Sequence, residues 1–244
     1  MTLCLLHERL THADPGATSV RGPLVTGGAR RVVAGEEVDS LLDALASGST
    51  EPASGAFAAL AAASGAALVT AVARRTLRRL ADDDPHVARL TEIAAEADAA
   101  RPTLLASADR DAELQHELGV AARMRQDSEK RRTARLLTLQ SVLEDAVDAH
   151  LDLARRSVLL AGLAEEATSV ADPNAAADGL AAVAALHAAA VTALATVELN
   201  AFAIVDPARR DELTATCAAL GERAASMLDD ARTAFGGRVD PGPD

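Results

Sequence analysis

Tryptophan and tyrosine are absent from the 244 residues, and the only aromatic side chains are Phe57, Phe202 and Phe235. The core must therefore be assembled from alanine, leucine and valine, in a chain that is 49% hydrophobic. Side chains this small favour helices that approach one another closely over a wide sheet sandwich. Lysine is nearly missing as well. Lys130 is the only one and stands in a charged run, so Schiff-base chemistry has a single candidate. Cys4 and Cys217 are isolated, which gives neither a metal-ligand spacing nor a disulfide framework. A basic excess is lacking too: the formal net charge of -12 argues against nucleic acid and anionic membranes as partners. Apolar runs are expected to be interrupted by charge before they could span a bilayer. The TLCLL run before His7 is too short for the apolar part of a signal peptide. The expected location is the cytoplasm.

What the sequence does contain is helical periodicity, over a length that suits one sizeable domain. Residues 1–35, with Pro15, Pro23 and the Gly27-Gly28 pair, read as irregular. Val38, Leu41, Leu42 and Leu45 give a short amphipathic helix over 36–47. An Ala-rich helix spans 56–80 and ends in Arg74, Arg75, Arg78 and Arg79. Those arginines read first as cations at a helix C-terminus and second as a patch for an anionic ligand tail. A helix over 85–125 contains Pro102, which should kink or split it near Arg101. A long charged helix over 127–168 carries Leu136, Leu139, Val142, Leu143, Val147, Leu151 and Leu153 at near-heptad spacing. Pro207 opens a last helix to about Phe235, and 236–244 reads as a flexible tail. With no strand pattern and no internal repeat, the fold class is all-α, a multi-helix bundle.

Residues 172–206 are the expected central helix. Alanine, leucine and valine surround it, so other helices should enclose it. Asp172 and Asp206-Pro207 mark its ends. Asp178, His187, Thr192, Thr196, Glu198 and Asn200 stand out against that background, each owed a partner or a role. His187 reads as a satisfied core histidine. Glu113 to His116, ELQH, matches one Glu-x-x-His pair of di-iron bundles, but no second copy follows, so no metal site is expected. Nucleophile-elbow, P-loop and dinucleotide motifs are missing.

Three pieces in this order resemble the cyclodeaminase/methenyltetrahydrofolate cyclohydrolase family, the domain also found at the C-terminal end of formiminotransferase-cyclodeaminase. Val38 to Leu60, VDSLLDALASGSTEPASGAFAAL, is similar to the family's FL-x-x-LAS segment, P-x-P-G-G-G-S turn and Ala-rich helix. Ser107 to Gln115, SADRDAELQ, is similar to its D-x-x-A-F element, with Asp111 at the acid position. Ala171 to Ala182, ADPNAAADGLAA, and Thr196 to Asn200, TVELN, are similar to G-N-x-N-x-x-S-D and N-V-R-I-N. The resemblance runs from about Glu36 to Phe235. It departs where the triple glycine is Ala53-Ser54-Gly55, where Asp172 replaces an asparagine and Ala177 a serine, and where Glu198 replaces an arginine.

The resemblance implies a bundle of the cyclodeaminase type around the central Ala-rich helix. It also implies an enzyme that opens or closes a non-peptide C–N bond of a folate, or of a related small molecule in a diverged pocket. Asp111 and Asp178 would handle protons, and Pro52, Gly55, Asn174 and Asn200 would bind the substrate. No tightly bound cofactor is implied; a tetrahydrofolate derivative would be the substrate. The other expectation, motivated by the lost glycines and Glu198, is a catalytically decayed homologue that binds a small molecule or acts as a scaffold. Asp178 and Asn200 are 22 positions apart, about 33 Å on one straight helix, and cannot share a pocket within one subunit. The resemblance implies a homodimer with sites between its subunits, which could reunite groups from opposite helix ends.

Overall fold

A computed structural model describes residues 38–48, 52–171 and 173–239. The segment expected to be irregular at 1–35, the capping Asp172 and residues 240–244 lie outside the described residues. All the regular structure among those described is helical. The elements are α1 (Val38–Ala46), α2 (Ser54–Leu77), α3 (Val87–Ala122), α4 (Glu129–Ser169), α5 (Ala176–Ala201) and α6 (Pro207–Val239). One 3-10 turn, Pro173–Ala175, leads into α5.

The long helices alternate in direction. Gly55 meets Asp111 while Arg74 pairs with Asp98, so α2 and α3 are antiparallel. Arg75 pairs with Asp178 and Gly65 meets Leu186, so α2 and α5 are antiparallel too. His187 reaches Ala224 and Gly221 faces Leu194, which sets α6 against α5. Contacts order these four helices α3–α2–α5–α6 in one layer, and α4 packs on one face of it, touching all four. The main core lies between α4 and that layer and is built from alanine, leucine and valine with Ile93, Ile204, Cys217 and Met227. Leu41 of α1 joins a smaller cluster with Ala56, Ala59 and Ala108.

Alanine and glycine allow the close approach. A Cβ on Gly65 would stand 2.5 Å from Leu186 Cγ, so α2 and α5 touch where the side chain is missing. At the far end of α5, Gln140 of α4 fixes the turn: its Nε2 donates to the Ala203 carbonyl and its Oε1 accepts from the Val205 N–H, both at 2.8 Å. Asp206 Oδ1 then accepts the Ala208 N–H at 3.0 Å, capping α6 with Pro207 in its first turn.

Three expectations change. Pro102 does not split α3, which runs unbroken from Val87 to Ala122. The proline removes one helical hydrogen bond, and it does so on the exposed side, where water can serve the freed carbonyl. The apolar runs are not too short: α2 and α5 are each long and apolar enough to cross a membrane, by length and composition only. No charge stands between Glu51 and Arg74, nor any between Asp178 and Glu198 apart from His187. In this fold they are the innermost helices of the layer, with 61% and 44% of their most apolar windows buried. Finally, α5 is not enclosed on all sides within one chain. Ala177, Ala181, Ala184, Val191, Ala195, Leu199 and Phe202 form an exposed stripe at helical spacing. On α2, Phe57 and Ser64 are exposed, with Leu60, Ala61, Ala67, Leu68 and Ala71 half-buried around them.

Gly65→Val is expected to destabilise the protein by roughly 2–3 kcal/mol, since Leu186 is held at its branch point and cannot swing away. Gly236→Ala, in α6 with nothing within 4 Å of the new methyl group, should stabilise by up to about 1 kcal/mol. Guanidinium unfolding midpoints of the two variants check both signs.

Candidate active site

Asp111, in the last third of α3, is buried at 5% exposure, and so is His150 of α4 at 4%. His150 Nε2 lies 3.2 Å from Asp111 Oδ1. The other ring nitrogen, Nδ1, is 2.8 Å from the Ala146 carbonyl oxygen. A carbonyl can only accept, so Nδ1 carries a hydrogen and donates it. The Nε2–Oδ1 contact must then hold one proton, either as imidazolium and carboxylate or as imidazole and carboxylic acid. Burial disfavours a charge on His150, but the hydrogen bond and charge of Asp111, with the Ala146 carbonyl, outweigh it. The His150 pKa is raised above the ordinary 6.5.

Gly55 belongs to the same constellation. A Cβ there would stand 2.5 Å from both Asp111 carboxyl oxygens, so the acid occupies the space of a missing side chain. The acid thus rests on the first turn of α2, where N–H groups have no intrahelical partner and the helix dipole is positive. No side-chain cap serves that terminus: the N-cap is Ala53. Pro52, just before it, is buried.

Asp178, at the start of α5, is instead ion-paired with Arg75, their side chains 34% and 43% exposed. Gly55 and Arg75 are twenty residues apart on α2, about 30 Å. Asp111 and Asp178 therefore sit at opposite ends of the bundle. Since α5 runs antiparallel to α2, Asn200 returns to the Asp111 end. It is 1% exposed, and its Oδ1 is buried without a hydrogen-bond partner. Asn174 is exposed in the 3-10 turn beside Asp178. Within one chain, the candidate residues thus form two groups: Pro52, Gly55, Asp111 and Asn200 at one end, Asn174 and Asp178 at the other.

The sequence that carries both groups fits one pattern. The profile of the formiminotransferase-cyclodeaminase family matches residues 37–219. The chain belongs to that family. Its fold is similar to the crystal structure of formiminotetrahydrofolate cyclodeaminase from Thermotoga maritima, with a TM-score of 0.66 at 22% identity, over 85% of this chain and all of that one. No curated protein matches the sequence.

Two residues of consequence escape a reading by family motif. His150 sits on the apolar face of α4 with Leu143, Val147, Leu151 and Ala154, and a histidine at a core position of that stripe was the available signal. Arg75 hides among four arginines, of which Arg74 and Arg75 are engaged by acids of other helices. That engagement favours the structural reading of the cluster. His187, by contrast, is satisfied as expected, its Nδ1 donating to the Ala224 carbonyl at 3.1 Å, but it is half-buried and not in the core.

A raised His150 pKa means that the folded protein holds this proton more tightly than the unfolded chain does. The stabilisation is complete below 6.5, the unfolded value, and is lost as pH rises through the folded one. Guanidinium unfolding midpoints should therefore fall as pH increases above about 6.5, and His150→Gln should flatten that fall. Equal slopes for the two proteins would remove the charged imidazolium from the account.

Proposed function

We propose that this cyclodeaminase-like protein is an enzyme acting on a non-peptide C–N bond of a folate, or of a related small molecule. The buried Asp111–His150 pair carries the reading. Closing a formimino group onto a neighbouring amine forms one C–N bond and breaks another. A proton must travel from the attacking nitrogen to the departing one, which leaves as ammonia. Opening a methenyl bridge with water makes the same demand, with oxygen as the attacking atom. A pair that holds one proton between two groups can accept at one stage and return at the next. Asn200, with an unsatisfied buried oxygen, supplies an acceptor at the same end for the substrate's N–H groups. Pro52 and Gly55 shape the floor under the acid. Asp178 and Asn174 come from the other end of the bundle and would serve a neighbouring subunit's site.

The test is loss of methenyltetrahydrofolate absorbance with purified protein. Asp111→Asn and His150→Gln should each lower kcat by about 10²–10⁴-fold, the usual worth of a positioned proton carrier. No turnover above background, together with no folate binding by calorimetry, would remove folate as the substrate. A second reading, a decayed homologue that only binds or scaffolds, is favoured by the Arg75–Asp178 pair and by Glu198 in place of an arginine. It predicts folate or small-molecule binding that neither variant alters.

The same reading includes a homodimer. The exposed stripes of α2 and α5 lie on the side of the layer that α4 does not cover, and a second copy is the commonest partner for such a surface. A two-fold, antiparallel apposition would bring the Asp178 end of one copy to the Asp111 end of the other. Light scattering at low micromolar concentration should give twice the chain mass, and Val191→Glu should halve it. A wild-type monomer would sink both the dimer and the shared site.

A further inference from the structure

At the end of the bundle away from Asp111, α4, α5 and α6 part to leave a cavity of about 260 Å³. Leu180, Val183, Ala231, Ala234 and Phe235 give it apolar walls. Two acids face it, Glu165 from α4 and Asp230 from α6, and both also line a wetter groove with Glu222 and Arg223. They therefore stand where an apolar chamber opens towards water. Glu165 Oε1 is buried and accepts no hydrogen bond. Burial and the charge of Asp230 both push the Glu165 carboxyl up from its ordinary 4.5, and Arg223 only partly opposes them. The chamber thus combines apolar walls with an acceptor that lacks a donor and a local excess of negative charge.

We propose that this cavity is a binding site for a small organic monocation with an apolar tail, an arylalkylammonium. An ammonium head brings three donors and one positive charge to Glu165 and Asp230, which supplies the missing hydrogen bond. Thr168 and Ser169 also line the cavity, but their hydroxyls donate to the Ala164 and Glu166 carbonyls, so the tail meets a mostly apolar wall. An aromatic ring fills a cavity of about 150 Å³, so the space here takes a ring and a short alkyl arm. An anionic ligand would meet two carboxylates and is disfavoured. A bare metal ion would find too few ligands, since no group of three or more His, Cys, Asp or Glu converges among the described residues. Four of the eleven lining residues, Asp230, Ala231, Ala234 and Phe235, lie beyond the 37–219 stretch that matches the family. Glu165 is fifteen residues from His150 along α4, about 22 Å, which separates this site from the Asp111–His150 pair of its own chain.

Calorimetric titration of the full chain with 2-phenylethylamine, its neutral analogue 2-phenylethanol and the anion 3-phenylpropanoate tests the assignment. The amine should bind one to one, roughly tenfold or more tighter than the alcohol, and the carboxylate should not bind. Glu165→Gln should cost the amine about tenfold while sparing the alcohol. Ala234→Phe, at the exposed rim, should block both. If Glu165→Gln fails to fold by circular dichroism, Asp230→Asn at an exposed position carries the same expectation. No binding of the amine, equal binding of amine and alcohol, or amine binding indifferent to the acid substitution would each overturn the proposal. None of these variants touches Asp111 or His150, so folate turnover, present or absent, does not bear on the result.

Discussion

The close approach of α2 to α5 is the constraint on which the rest of this structure depends. Without large side chains, buried area must come from backbone proximity, and Gly65 against Leu186 shows how little space separates the two helices. Dispersion contacts are many at such a distance and weak one by one, so register matters: a shift of one turn would set Leu186 against Ala61 or Val69 and leave it without its niche. That register has two consequences at once. It places Asp178 beside Arg75 at one end, and it returns Asn200 to the end where Asp111 rests on α2. The same small side chains leave the outer faces of both helices nearly featureless and apolar, a surface that neither α3 nor α6 reaches round to cover.

The Asp111–His150 pair needs three helices to exist. α3 supplies the acid, α4 the imidazole and, through Ala146, the carbonyl that fixes its tautomer, and α2 the glycine that makes room. Removing either partner would leave a buried polar group without its complement, a larger penalty than the pair's net contribution to stability. A structural ion pair and a proton carrier are built alike in this respect. The distinction lies in the surroundings: a pair kept only for stability gains nothing from an unsatisfied amide oxygen at the same end of the bundle, whereas a substrate with N–H groups does.

The five longer helices were legible in the sequence because the period of each repeats many times, and α1 because its four apolar residues share one face. Their starts and stops were legible where a proline or an acid marks them, as at Asp206-Pro207. The central helix ends at Ala201, five residues short of the Asp206 that its sequence pattern suggests. The turn from Phe202 to Asp206 is held by Gln140, sixty residues upstream in the chain, and no local pattern announces that. Asp111, Asp178 and Asn200 could be named from family motifs, but not grouped, because grouping needs the antiparallel register of α2 and α5. His150 lies outside the segments that resemble the family, and only the fold brings it to Asp111. The cavity at Glu165 was equally hidden, since its walls come from three helices whose relevant residues are unremarkable one at a time.

The lost glycines bear directly on whether the site has decayed. Where the family turn has three glycines, this chain has Ala53, Ser54 and Gly55. Ala53 adopts φ -130 and ψ -157, extended backbone open to any residue. Ser54 is exposed, with its side chain free to point to water. Gly55 is the position where a methyl group would collide with the carboxyl group of Asp111. So the substitutions fall where the backbone tolerates side chains, and the glycine that remains is the one the buried acid requires. Drift in a site with no remaining use would not respect that difference: alanine at position 55 would cost nothing once Asp111 was dispensable, and would add helix propensity. The geometry of this turn therefore weighs toward a working Asp111–His150 pair. Glu198, exposed at the same end of α5, weighs toward a change in what that pair acts on.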